Sequence, residues 1–159
     1  MKTYFQLILS ILMILLVMAG CQKAEPQAAL EKSSLLEEDQ SLLSDKAPLE
    51  RPTSEKGVTI EAEKSEYPTT VGDISIVLSN ESSEEYSTGL DVFLEKKVAN
   101  SWFRVPMKDA FFTEPAIAHE PGASTKMTLK VEDLNYDLTP GEYRATLNGL
   151  GAPFKIIEE

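Results

Sequence analysis

Cys21 is the only cysteine and His119 the only histidine in the chain, and together they bound the chemistry available to it. Any histidine-paired nucleophile would have to use His119. Ser101 and Ser124 lie beside turn residues rather than in a strand-to-helix elbow, so no such pair takes shape. His119 therefore reads as a loop residue, and no catalytic residue is assigned. Glu132, Asp133, Asn135 and Asp137 crowd oxygen donors into one loop. Calcium needs at least about six oxygens, and its loops use a glycine to turn the chain. No glycine occurs among these residues, so the loop reads as a solvated acidic connection, as does the turn carrying Glu81, Glu84 and Glu85. Neither a metal nor a cofactor is expected. The remaining candidates are aromatic: Trp102, Phe103, Phe111 and Phe112. Two of them exposed together would form a patch for a partner. The competing reading packs Trp102 in or at the edge of a core. Neighbours on a regular strand point to opposite faces, so one of Phe111 and Phe112 would plug the core and the other would be left for contact. Trp102, Phe111 and Phe112 are the candidate binding residues.

Cys21 closes a different kind of pattern. Lys2 is followed by an apolar run from Leu7 to Val17, broken only by Ser10, and then by the small residues Ala19 and Gly20. This is the plan of a secretory signal peptide over residues 1–20. A spanning helix needs about 20 apolar residues. The run is slightly short of that, and Gln22, Lys23 and Glu25 supply no basic cluster to stop transfer. Ala19-Gly20-Cys21 resembles the bacterial lipobox, departing from it at Met18, where Leu, Val or Ile is usual. The resemblance implies cleavage before Cys21, a diacylglycerol on its sulfur, and an acyl chain such as palmitate on the new amine. One chain binds a bilayer reversibly, whereas two anchor stably. The alternatives are an uncleaved transmembrane anchor, or an unmodified cysteine within a cleaved signal. Lipidation would hold the protein on the extracytoplasmic face of the cell membrane.

The elements behind these residues fall into two parts. Residues 21–56 read as a flexible tether with no aromatic residue, too polar to offset the entropy of ordering. A coil of ~35 residues spans roughly 35 Å. Leu30, Leu35, Leu36, Leu42 and Leu43 recur near a seven-residue spacing. They read as a fluctuating helix in a spacer, with a docking helix as the alternative. From Gly57 the period becomes two. Val58, Ile60 and Ala62 alternate with polar residues, as do Ile74, Ile76 and Leu78. Leu90 to Val105 reads as a hairpin turning at Ala99-Asn100-Ser101, and Met127, Leu129 and Val131 form the next strand after Pro121-Gly122. Tyr143, Ala145 and Leu147 follow Pro140-Gly141, and a short last strand holds Phe154, Ile156 and Ile157 after breaks at Gly149 and Gly151. About seven strands with turns between them and no helical period predict an all-β antiparallel sandwich over residues 57–159.

Leu138-Thr139-Pro140-Gly141-Glu142-Tyr143 looks like a tyrosine corner, in which the hydroxyl bonds back to upstream backbone. The run from Gly57-Val58-Thr59-Ile60-Glu61 and Lys64-Ser65-Glu66-Tyr67-Pro68 continues through Trp102-Phe103-Arg104-Val105-Pro106 and Pro121-Gly122 to Tyr143. It resembles the bacterial immunoglobulin-like domain of small lipoproteins and exported proteins of Gram-positive bacteria. That resemblance implies an Ig-like sandwich and carries over no catalytic residue or ligand site.

A formal charge of -11 disfavours nucleic acid and anionic surfaces, which leaves lipid as the means of attachment to the membrane. Without a disulfide, the exported domain must rest on its hydrophobic core. The first functional reading is a membrane-anchored, non-enzymatic Ig-like binding or accessory module with a protein or envelope partner. The alternative is a protease-inhibitor-like sandwich presenting Pro106 to Pro121 as its loop. A hydrolase lacks a triad or a metal set, and a role stabilising a larger assembly has no signature in the chain.

Overall fold

The computed structural model describes residues 37–108 and 115–159. Its strands are β1 (Ser54–Glu55), β2 (Val58–Ala62), β3 (Glu66–Pro68), β4 (Asp73–Asn80), β5 (Tyr86–Thr88) and β6 (Phe93–Val98). They continue with β7 (Ser101–Arg104), β8 (Ile117–His119), β9 (Ser124–Lys130), β10 (Gly141–Leu147) and β11 (Leu150–Ile157). One sheet has the order β1-β2-β4-β9 and the other β3-β11-β10-β6-β7, while β5 and β8 form a separate ribbon. The expected all-β sandwich is present. Its inner faces carry Ile60, Ile74, Ile76, Leu78, Met127 and Leu129 from one sheet and Leu94, Tyr143, Ala145, Phe154 and Ile156 from the other, all buried. These are the alternating positions of the sequence, as a sheet with one dry face requires.

Several elements differ from expectation. The last strand begins at Leu150, and β10 and β11 pair along their whole length from Gly141↔Ile156 to Leu147↔Leu150. Asn148 at φ 50 and Gly149 at φ 93 make the two-residue turn. Positive φ at both central positions is the geometry that matches strand twist, so this pair joins the strands instead of breaking them. Gly151 is an ordinary strand residue opposite Thr146. Tyr67-Pro68 belongs to a strand of its own. It lies in β3, which runs parallel to β11, so that sheet is mixed and not wholly antiparallel. The hairpin starts at Phe93 rather than Leu90. His119 is a buried residue of β8, not a loop residue.

The largest departure is at the N-terminal side. A tether was expected through Lys56, but the described part of it is bound to the sandwich. Backbone bonds run from Ser44 N to Arg104 O at 2.8 Å, from Ala47 N to Trp102 O at 2.8 Å, from Arg104 N to Asp45 O at 3.0 Å and from Gly151 N to Pro52 O at 2.9 Å. Residues 39–53 thus form a strap that pairs with the free edge of β7 and belongs to the same unit as the sandwich. Asp39 sits at the strap's start, paired with Lys96 and with the Tyr136 hydroxyl. The low hydrophobicity of the segment is real. What orders it is backbone pairing to a strand edge together with ion pairs. Residues 1–20, for which a signal peptide is expected, and Cys21, Leu30, Leu35 and Leu36 lie outside the described residues.

Tyr143 is fully buried and stacks on Phe154 with ring centroids 6.0 Å apart. Its hydroxyl donates to Thr139 O at 2.8 Å and accepts from Thr139 N at 3.3 Å. The corner read from the sequence is therefore formed. Tyr143→Phe leaves those loop groups unpaired beside a filled core, so it should lower unfolding free energy by about 1–3 kcal/mol in urea denaturation. A change near zero would mean that the hydroxyl does not hold the corner.

Candidate functional site

The face that gathers chemical variety is the outer side of the β6/β7/β10/β11 sheet. The two-residue turn at 99–100, with Ala99 at φ 52, returns the chain as β7 and sets Trp102 opposite Lys97. Alternation then places Trp102, Lys97, Glu142 and Lys155 in one row and Arg104, Glu95, Arg144 and Pro153 in the next. Lys97 Nζ is 2.7 Å from a Glu142 oxygen, and this bond holds the Glu142 carboxyl below its usual range. The Arg144 guanidinium lies 4.2 Å from the centre of the Trp102 ring, a cation–π contact.

Glu95 is the anchor of this face. Its side chain is 1% exposed. Arg51 of the strap reaches it through Nη2 at 2.7 Å and Nε at 3.0 Å, and Arg144 through Nε at 2.6 Å. A buried carboxylate is tolerated only when its lone pairs are met by charged donors. Arg144 also donates to the backbone carbonyls of Pro48 and Leu49. The strap therefore holds Arg144, and Arg144 holds the indole.

Two shallow clefts flank Trp102 and share both that residue and Pro153. One is walled by the strap through Leu49, Arg51 and Pro52, and the other by Ser65, Glu142 and Lys155. Trp102 is half-buried, so packing and access divide its surface. Phe111 and Phe112 lie outside the described residues, as do the other residues of 109–114 in the Pro106–Pro121 loop. Cys21 is outside as well.

His119 is spoken for. Its Nε2 is 2.9 Å from Thr88 Oγ1 and its Nδ1 3.0 Å from Thr125 Oγ1. Thr88 commits its hydroxyl proton to Gly89 O, so Nε2 carries the ring proton and Nδ1 accepts from Thr125. Burial lowers the imidazole below its ordinary value. The ring ties β5 and β8 to β9 and is not open to a substrate. Glu132 and Asp133 lie in a single 3-10 turn, and among the described residues no group of three or more His, Cys, Asp or Glu side chains is arranged to hold a metal.

Arg51, Glu95 and Arg144 escaped the sequence reading. Glu95 and Arg144 occupy outward positions of alternating strands, which ordinarily means solvent. Arg51 sits 44 residues from Glu95, so no local spacing joins them.

The sequence pattern of the bacterial Ig-like domain matches residues 54–148. No curated protein matches the chain. Among solved structures, a β-glucosidase of Erythrobacter marinus is 13% identical, with 64% of this chain aligned to 15% of that one at a TM-score of 0.40. The alkylpurine DNA glycosylase AlkC of Pseudomonas fluorescens is 15% identical, over 63% of this chain and 30% of that one, at 0.36. An exo-β-xylosidase is 14% identical, over 64% and 17%, at 0.35. The chain thus spans less than a third of the length of each of these proteins.

A neutral, buried His119 sets a pH dependence. Its folded pKa lies below the unfolded value of 6.5, so the unfolded chain takes up the proton first as pH falls. This contribution is fully present above the unfolded value and is lost as pH drops from there toward the folded value. Relative to His119→Gln, the native chain should lose stability on acidification below pH 6.5 by at most about 1.4 kcal/mol per pH unit. Parallel pH profiles from thermal melts of the two chains would show that His119 titrates freely.

Proposed function

The chain belongs to the bacterial Ig-like domain family, and from that premise we propose that it is a non-enzymatic binding module. It is held by lipid on Cys21 at the extracytoplasmic face of the cell membrane. Its partner is a protein or another component of the envelope. The observation that carries the reading is Trp102, half-open between two clefts on a sheet face that a rigid sandwich supports. A lone tryptophan held by an arginine beneath it is pre-organised, and such rigid aromatic anchors dominate interface energetics. Around it Lys97, Lys155, Arg51, Arg104 and Arg144 outnumber Glu95 and Glu142, so the patch is net positive within a strongly acidic protein. An acidic partner meets less repulsion there than elsewhere.

Attachment rests on Ala19-Gly20-Cys21 following an apolar run. Two acyl groups on one terminus give stable anchoring where the protein's negative charge gives none.

Crosslinking in membranes followed by recovery of the protein tests the binding face. A stoichiometric partner should be retained by the native chain, and a loss of about 2 kcal/mol for Trp102→Ala would reduce its affinity by roughly thirtyfold. Undiminished recovery with the alanine variant would remove this face as the site. Cys21→Ser should leave the precursor uncleaved or release the protein from the membrane. Normal cleavage with full membrane retention would reject the lipid anchor.

A further inference from the structure

The strap of residues 39–53 both builds the Trp102 cleft and joins the domain to the chain before it. Leu49, Arg51 and Pro52 form one wall. The carbonyls of Pro48 and Leu49 hold the guanidinium that stacks on the indole. Without the strap, that wall is missing and Arg144 loses two of its acceptors.

The strap's own grip is mostly polar. Leu43 packs partly against the core, whereas Leu42 is 59% and Leu49 68% exposed. Segments with little apolar burial open at a lower free energy than the core they lie on. Opening here leaves Glu95 and Lys96 each with hydrogen-bond partners, although Lys96 gives up its one carboxylate among the described residues. Glu95 would keep Arg144 at 2.6 Å and gain water on the side that Arg51 leaves. Lys96 would keep the Tyr136 hydroxyl at 2.9 Å and the Thr139 hydroxyl after losing Asp39. Both arrangements of the segment therefore leave the sandwich intact, as a two-state element requires. The latch is local as well. Asp39, bound to Lys96 and Tyr136, is the first described grip of the strap on the sheet, at the end where the N-terminal chain enters.

We propose that residues 39–53 are a releasable strap whose docked state assembles the Trp102 cleft, so that an occupant of the cleft holds the strap down and release of the strap dismantles the cleft. This rests on the Trp102 face being the binding face. An occupant touching the strap wall prefers the docked state, and by linkage undocking lowers its affinity by the same factor. Attachment of the N-terminal chain and occupancy of the face are thereby coupled.

Hydrogen exchange on the full-length chain, in a Cys21→Ser background and with no partner added, tests the device. The amides of Ser44, Ala47 and Gly151, which bond across the strap, should exchange at least about tenfold faster than β4 amides such as Ile76 and Leu78. Asp39→Ala should speed the strap amides further, by about tenfold, and leave β4 unchanged. The emission of Trp102, the single tryptophan, should shift in the same variant. Lys46 and Phe103 are bridge partners flanked by the Ala47–Trp102 and Arg104–Asp45 bonds, the wide pair that suits a cross-strand disulfide. Oxidising Lys46→Cys/Phe103→Cys should abolish both effects of Asp39→Ala, and reducing it should restore them. Strap amides that exchange only together with β4 would overturn the release, and an unshifted Trp102 emission would overturn its link to the cleft. These readouts use no partner, so they stand apart from the Trp102→Ala recovery experiment. Loss of strap exchange would spare the binding reading, and undiminished recovery would remove the binding reading without touching strap release.

Discussion

A carboxylate on the outer face of a sheet is normally a solvated group, yet Glu95 is 1% exposed between two guanidinium groups. Taking such a charge out of water costs several kcal/mol in practice, and removing one partner of a buried pair typically costs about 3–5 kcal/mol. The arrangement is sustainable because Arg144 arrives from the neighbouring strand and Arg51 from the strap, with bonds from each. Its yield is positional rather than energetic. The placement of residues 48–52 lets Arg51 meet Glu95 while the carbonyls of Pro48 and Leu49 meet Arg144. The ion cluster thus sets the register of a segment that buries little apolar surface with which to set it.

Two kinds of order therefore coexist in one domain. The sandwich is held by apolar alternation and closed by the Tyr143 hydroxyl on Thr139. Asn80 works in the same way at the other end of the strands, donating to the carbonyls of Glu84 and His119 and accepting from Ser82. The strap is held by strand-edge pairing and charge. At the tether-side end, Lys96 lies on the inward face beside Tyr143, and its ammonium is satisfied by Asp39, Tyr136 and Thr139. Burial, and then the bond to Asp39, push the Tyr136 phenol well above its usual range, so it stays a neutral donor. Covering the exposed edge of β7 with residues 44–47 also removes a template for unwanted strand pairing. The binding face follows from the meeting of these two parts, since Trp102 sits on a strand of the first and against a wall of the second.

Much of the sandwich was legible from residue order. Val58 to Ala62, Ile74 to Leu78 and Met127 to Leu129 alternate because one side of each strand is dry, and burial of their apolar residues follows that alternation, with Ser75 covered on the other face as well. Asn148-Gly149 was readable too. An Asn-Gly pair between two alternating runs is a hairpin signal, and treating Gly149 as a break overlooked it. His119 could not be placed by its neighbours, because its hydroxyl partners Thr88 and Thr125 come from two other strands.

Local pattern by itself determined the strand faces, the corner at Tyr143, the location of the main core and the presence of one indole on a hairpin, since each depends on residues a few positions apart. Only the tertiary structure decided that residues 39–53 are bound, that β3 runs parallel to β11, and that Glu95 and Arg144 are sheltered. Those outcomes depend on pairs such as Arg51 with Glu95 and Asp39 with Lys96, far apart along the chain. Charge acts through space and carries no sequence period, so its consequences appear only once the strands have brought the partners together.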